Sequence, residues 1–387
     1  MDGDQYMQLP GPTNIPERVQ RAMMRPMINH RGAAFREIME EVLQGIKQIY
    51  RTQQHLLIYP ASGTGGLEAA VANFIAPGEK VLAVSIGVFG DRFADIADAF
   101  GAQVERIRVP WGQAVTPDQI GERLAADTAH EIKALLITHN ETSTGVFNDL
   151  QAVRRAMQDH PALTLVDAVS GLAAVELQMD AWGLDVVVSG SQKAFMIPPG
   201  LSFMGFSERA LEKHRRNKQT NYYWNIDFGL QYLEKGQTPF TPPISLYFGL
   251  QEALRMLQEE GLENTLARHD SYRRLTRASI RAMGLKLLAE DDCASPAVTA
   301  IWSPEGIPAN EIRHDLQQHY QIIVAGGQQS LDNKILRIGH LGSVRELDLL
   351  AILAALEITL HRLGYPIKMG DGVSVAQAHI YQREQYA

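Results

Sequence analysis

Between about Arg51 and Phe206 the chain alternates short β-rich runs with helical patterns. The runs include Leu56-Leu57-Ile58-Tyr59, Val81-Leu82-Ala83-Val84-Ser85, Ala134-Leu135-Leu136-Ile137-Thr138, Leu163-Thr164-Leu165-Val166 and Asp185-Val186-Val187-Val188. This alternation predicts βαβ units and a largely parallel sheet with helices on both faces, an α/β large domain. Beyond about Ser245 the pattern changes. A helical stretch from Leu246 to Glu260 ends at Gly261, and the β-like runs Val298-Thr299-Ala300-Ile301-Trp302, Ile322-Ile323-Val324 and Ile335-Leu336-Arg337-Ile338 precede a periodic helix from Val344 to Leu363. This mixture predicts a smaller α+β domain. The length of 387 residues suggests two or three domain-sized units, with ample chain for large cores. The division expected is an N-terminal arm over residues 1–20, rich in Pro and Gly, a large domain over 21–255 and a small domain over 256–387.

Within the alternating region, Ser189-Gly190-Ser191-Gln192-Lys193-Ala194 places a lysine just after the apolar run Val186-Val187-Val188 and just before Pro198-Pro199-Gly200. Upstream, Leu163-Thr164-Leu165-Val166 ends in Asp167. Ligands of an α/β sheet gather outside the carboxyl ends of its strands, so Asp167 and Lys193 are expected to face one crevice. An amine that can bond to a cofactor aldehyde, beside an acid that can pair with a pyridinium nitrogen, is the arrangement expected for pyridoxal 5'-phosphate. The phosphate of such a group needs a cluster of donors. Pro60-Ala61-Ser62-Gly63-Thr64-Gly65-Gly66 reads as a Gly-rich turn opening a helix, and Ser62, Gly63 and Thr64 are the candidates. The turn is not a Walker loop, since Gly66 follows Gly65 where Lys is required, nor a dinucleotide fingerprint, since Glu68 takes the place of the third glycine.

The formal net charge of −8 argues against a nucleic-acid partner, which would want a basic face. The single cysteine, Cys293, excludes an intrachain disulfide framework and fits a reducing compartment. Met1-Asp2-Gly3-Asp4 is not a basic-then-apolar leader, and no apolar stretch approaches the roughly 20 residues that span a bilayer, so a cytoplasmic protein without a membrane partner is expected. Isolated histidines without H-E-x-x-H spacing and the lack of a Cys cluster speak against a metal site. A Ser-x-x-Lys acylase is disfavoured because Gly190 stands three before Lys193.

From Leu9-Pro10-Gly11-Pro12-Thr13 through Ser62-Gly63-Thr64, His139-Asn140-Glu141-Thr142-Ser143-Thr144-Gly145, Val166-Asp167-Ala168-Val169 and Ser189-Gly190-Ser191-Gln192-Lys193 to Arg337-Ile338-Gly339, the chain resembles the class V aminotransferases of the alanine-glyoxylate and serine-glyoxylate group. Those enzymes have the fold-type I architecture of pyridoxal phosphate proteins, so the resemblance implies a mostly parallel seven-stranded sheet in the large domain. It also implies ping-pong transfer of an amino group from alanine or serine to glyoxylate or another small 2-oxo acid. It carries specific roles over: Phe89 as the aromatic stacked on the cofactor ring, where many members have Trp; Thr142 as the hydroxyl that contacts the phenolic oxygen or orients substrate; Gln192 near the phosphate; and Arg337 as the fork that binds the substrate carboxylate. It further implies a homodimer with shared active sites, in which Thr241 of Thr238-Pro239-Phe240-Thr241-Pro242-Pro243 reaches the neighbour's phosphate; the Tyr that precedes it in the family is missing here.

His30-Arg31 and Tyr222-Tyr223-Trp224 could line the substrate mouth or simply pack. Two other activities share the motifs. A class V lyase of the cysteine desulfurase or kynureninase kind is one, although Cys293 in Asp291-Asp292-Cys293 sits in an acidic setting that raises a thiol pKa. An aminotransferase with another small donor, such as ureidoglycine or 2-aminoethylphosphonate, is the other. A non-catalytic protein keeping only the fold is opposed by the intact set Thr64, Asp167, Lys193 and Arg337.

Overall fold

The computed structural model describes residues 5–217 and 221–385. Met1 to Asp4, where no leader is expected, lie outside the described residues. The alternating region folds as one seven-stranded sheet in the order His55–Tyr59, Ser202–Phe206, Val186–Gly190, Leu163–Asp167, Ile132–Thr138, Lys80–Ser85, Gln103–Arg108. Six strands run parallel and Ser202–Phe206 alone is antiparallel, paired with both of its neighbours. Successive side chains along a strand point to opposite faces. Leu56, Leu82, Leu135, Val166 and Val187 therefore enter one apolar cluster, while Leu57, Val81, Leu136, Leu165 and Val188 enter another. Because both faces are covered, the strands carry continuous apolar runs, as parallel sheets require.

The carboxyl edge of this sheet is where the chain turns into its motifs. Tyr59 leads to the helix Gly63–Phe74, Ser85 to the helix Val88–Ala99, and Thr138 to the two-residue strand Asn140–Glu141. Asp167 ends its strand opposite Thr138 on one side and Val188 on the other. All these turns open on one crevice.

The second sheet has four strands in the order Tyr6–Gln8, Ile322–Gly326, Ile335–Gly339, Val298–Trp302. Ile301, Ile322, Val324, Leu336 and Ile338 form a separate core with Ile312 and Leu316 of the helix Ala309–Tyr320 and Leu349, Leu353 and Leu356 of the helix Glu346–Arg362. The three β-like runs expected late in the chain are its strands. The fourth comes from the N-terminal arm, where Tyr6, Met7 and Gln8 pair in parallel with Ile322, Ile323 and Val324. A helix, Glu17–Met23, begins within the segment read as an extended arm. The helix foreseen from Leu246 to Glu260 runs Ile244–Glu260, and no helix among the described residues is long and apolar enough to cross a membrane.

Candidate active site

Lys193 lies in the turn after Val186–Gly190 with its amine well buried, and its Nζ donates to the carbonyl of Pro10 at 2.6 Å. The arm is fastened there by the Thr13 amide, which donates to the Gln192 carbonyl at 3.1 Å, and by the Thr13 hydroxyl, which donates to the Lys193 carbonyl at 3.0 Å. Burial first, and then the positive charge of Arg337, bring the Lys193 ammonium down to a pKa of about 8, with Asp167 opposing. Asp167 is buried at its strand end, its carboxylate accepting the Val169 amide at 3.0 Å. Burial pushes its carboxyl up to about 7; the Val169 amide and the charges of Lys193 and Arg92 pull the other way.

Arg337 is buried on the strand Ile335–Gly339. Its Nε donates to the Gly326 carbonyl at 2.8 Å and its Nη1 to the Thr142 carbonyl at 2.6 Å, so one guanidinium ties the second sheet to the turn after the first. Both acceptors are neutral, which leaves the cation's charge available to an anion. Burial lowers its pKa to about 10, with the negative charge of Glu141 opposing. Lys193 is thus close enough to both Arg337 and Asp167 for their charges to act on it.

Around them stand the other expected residues. Ser62 is the N-cap residue of the helix Gly63–Phe74, and its side chain makes no cap hydrogen bond; Ser62 and Thr64 are exposed at that helix start. The helix therefore begins with unspent donors at its positive end. The Gln192 side-chain oxygen is buried without a partner. It crowds Gly190 together with Gly63: a Cβ built on Gly190 would sit 2.9 Å from that oxygen and 3.5 Å from the Gly63 Cα. Phe89 lies in the first turn of the helix Val88–Ala99, half-buried, with the Arg92 guanidinium 4.8 Å from its ring centroid. Thr142 is buried and reaches the site through its carbonyl on Arg337.

Thr241 is not brought to this cluster within the chain. It is exposed in the segment before the helix Ile244–Glu260. Arg31 packs against that segment, donating to the Thr238 carbonyl at 2.8 Å and to the Gln237 side chain at 2.9 Å. Tyr223 stacks on Phe240 with ring centroids 4.8 Å apart. Packing, not lining of the crevice, is what these contacts give Arg31 and Tyr223.

Two residues were missed by sequence reading. Arg92 lies with its Nη1 3.5 Å from the Thr64 hydroxyl, a position whose only signal was its place three after Phe89. Glu141, inside the quoted motif, is fully buried and accepts the amides of Phe89 and Gly90. Cys293 is buried, and burial followed by the charge of Asp292 pushes its thiol up.

A doubly covered parallel sheet with a buried lysine and carboxyl at its carboxyl edge, and a second sheet delivering an arginine to them, defines the fold-type I architecture of pyridoxal phosphate enzymes. The family description Aminotransferase class-V matches residues 6–345, and the chain belongs to that family. Three relatives cover nearly all of it. A protein of Anabaena cylindrica named soluble hydrogenase 42 kDa subunit is 44% identical over 97% of this chain and 98% of its own. The L-aspartate–glyoxylate aminotransferase of Paracoccus denitrificans is 41% identical over 97% and 96%. The serine–glyoxylate aminotransferase of Arabidopsis thaliana is 38% identical over 98% and 96%. Among solved structures, pyridoxamine-pyruvate aminotransferase from Mesorhizobium loti matches with a TM-score of 0.93 at 29% identity, covering 98% of both chains.

Proposed function

We propose that this class V aminotransferase uses pyridoxal 5'-phosphate to move an amino group from alanine or serine to glyoxylate or another small 2-oxo acid. The observation that carries the reading is a lysine in the turn after one strand, a buried carboxyl at the end of the next and a neutral-partnered guanidinium from the second sheet, with the lysine feeling the charge of both.

The residues fit the group. Ser62, Gly63 and Thr64 at a helix start form a donor set suited to a phosphate dianion, and the Gln192 side-chain amide, its oxygen without a partner, lies beside them and would turn its nitrogen to such a group. Asp167 would face the ring nitrogen, Phe89 would lie on the ring and Thr142 near its phenolic oxygen. When bound, the group supplies an electron sink for the negative charge that develops at the donor α-carbon.

The rest is the work of this chain. Lys193, with a pKa of about 8, presents roughly a tenth of its amine in the neutral form at pH 7, far more than an ordinary lysine, which suits it to take and return the α-proton. The Pro10 carbonyl holds its Nζ in place between those events. Arg337 engages the carboxylate shared by donor and acceptor, for which its planar fork is matched.

Assembly as a homodimer with shared sites is part of the proposal. It is supported by the isolation of Thr241 from its own chain's site and by exposed Tyr222, Tyr223 and Phe228 at 72%, 42% and 38% beside it, an aromatic patch that water covers poorly. The same reading places the protein in the cytoplasm and divides the chain into an arm over 1–20, a large domain over 21–255 and a small domain over 256–387, the arm lending Tyr6–Gln8 to the small domain's sheet. The buried Cys293 opposes a desulfurase reading. The hydrogenase name of one relative has no matching donor set here: among the described residues no group of three His, Cys, Asp or Glu could hold a metal ion.

Borohydride treatment of the cofactor-loaded protein, followed by peptide mapping, tests the assignment; the label belongs on Lys193. A panel of alanine, serine, aspartate, ureidoglycine and 2-aminoethylphosphonate against glyoxylate and pyruvate tests the substrates. Label on another residue overturns the site, and preference for aspartate overturns the small monocarboxylic donor.

A further inference from the structure

We infer that Glu141 is a positioning residue that fixes, as one unit, the start of the helix bearing Phe89 and, through the next residue Thr142, the Arg337 guanidinium. The inference rests on the proposed function. Glu141 is 0% exposed, and its two carboxylate oxygens accept four donors: the amides of Phe89 and Gly90 at 3.0 Å, the Ser143 amide at 3.1 Å and the Ser143 hydroxyl. The Ser143 hydroxyl also accepts the Val88 amide at 3.0 Å. Three consecutive amides at the positive end of the helix Val88–Ala99 therefore terminate on this carboxylate, directly or through one hydroxyl.

The contact is tight. A Cβ on Gly87 would fall 2.5 Å from Glu141 Cγ and 2.5 Å from Ser143 Oγ, so the chain can begin the helix here only because residue 87 has no side chain. On its other side Glu141 is followed by Thr142, whose carbonyl holds Arg337 Nη1. The helix that carries Phe89 and the arginine expected to bind the substrate carboxylate thus hang on adjacent residues. A capping role alone would not require a carboxylate away from water, where a charge is costly unless fully hydrogen-bonded. Burial raises its pKa and the bonds from Ser143, Gly90 and Phe89 oppose that; ionised, its charge also acts on Arg337 and Asp167.

Glu141→Gln keeps the shape but turns one acceptor oxygen into a donor. Either the Phe89 and Gly90 amides or the Ser143 amide then face an N–H group, and the helix start must move. We expect the KM for the amino donor and for the oxo acid to rise together, with kcat/KM falling on the order of 10²-fold, the effect of a displacement near 1 Å. The cofactor should remain bound with a shifted visible absorbance maximum. In the cofactor-free protein, calorimetric titration with propionate, an unreactive carboxylate, should show weaker binding than in wild type. Glu141→Asp, which keeps the charge but draws it back by one methylene, should give the same KM-weighted loss and covers the case in which the Gln variant does not fold. The inference is overturned if either folded variant loses only thermal stability or cofactor occupancy while KM, spectrum and propionate affinity per folded site stay at wild-type values. Failure of the underlying reading would show separately, as wild-type protein without cofactor absorbance or amino transfer.

Discussion

Replacing Gly11 by alanine tests how closely the arm governs the lysine. The chain passes Gly11 at φ +117, a region that costs a residue with a side chain about 1–3 kcal/mol. The added Cβ would fall 2.5 Å from both Cδ and Nζ of Lys193 and 2.7 Å from its Cε. Such overpacking costs about another 1–3 kcal/mol if the surroundings yield only partly. The arm cannot easily retreat, because Gln8 donates to the Gly339 carbonyl at 3.1 Å and Thr13 is bonded to Gln192 and Lys193. The lysine tip must therefore give way, leaving the Pro10 carbonyl. A shift of about 1 Å at the group that moves the α-proton is expected to slow that step on the order of 10²-fold. The assay is the single-turnover change in cofactor absorbance on mixing with alanine, run beside thermal unfolding of the same preparation. A rate within about twofold of wild type in folded Gly11→Ala would refute the reasoning, since the crowding read from the backbone would then have no kinetic consequence.

Arg337→Lys retains charge without the fork and Arg337→Ala loses both; the alanine variant should weaken both half-reactions by roughly 2–5 kcal/mol, well over tenfold, with cofactor affinity nearly unchanged, as measured by single turnovers with alanine, serine and glyoxylate. For Asp167 the folded-state pKa of about 7 lies above the usual carboxyl value, so the folded cofactor-free protein holds the extra proton, and the stability that Asp167 contributes relative to Asp167→Asn should fall as pH rises from about 4 to about 7 and then level off. Paired chemical denaturations of the two proteins across that window check it, and a difference independent of pH would contradict the burial of the charge. Mixing Lys193→Ala subunits with Thr241→Ala subunits should give activity that tracks the fraction of hybrid dimers, and full cofactor-loaded activity in a demonstrated monomer would sink the shared site.

The first sheet was readable because its strands are buried on both faces, so runs such as Val186-Val187-Val188 carry their burial in their composition. Lys193 and Asp167 were readable for a related reason: a polar residue directly after such a run marks the strand's carboxyl end, where the crevice opens. Tyr6–Gln8 was not readable as a strand, since its burial runs from exposed to buried over three residues and its partner, Ile322–Val324, lies at the far end of the chain. Glu141 was hidden for another reason. Within His139-Asn140-Glu141-Thr142 it looks like turn chemistry, and only the fold brings the amides of Phe89 and Gly90 to it. Arg92 likewise shows as an ordinary helix residue until Thr64 and Phe89 are set beside it.

The pairing of the arm with Ile322–Val324 bears on the order in which a newly made chain becomes competent. At about 5–20 residues per second, synthesis from Phe206, where the first sheet's last strand ends, to Gly339 takes roughly 7–27 s. Through most of that interval the sheet has all its strands, yet Tyr6–Gln8 has nothing to pair with, Arg337 does not exist, and Thr13 alone ties the arm down beside Lys193. The longest sequence separations in the fold are therefore the ones that close the site, and contacts of that kind form late. The emerging protein carries its lysine on a sheet that already has every strand, and gains the arm's strand pairing and Arg337 only when its last strands are in place.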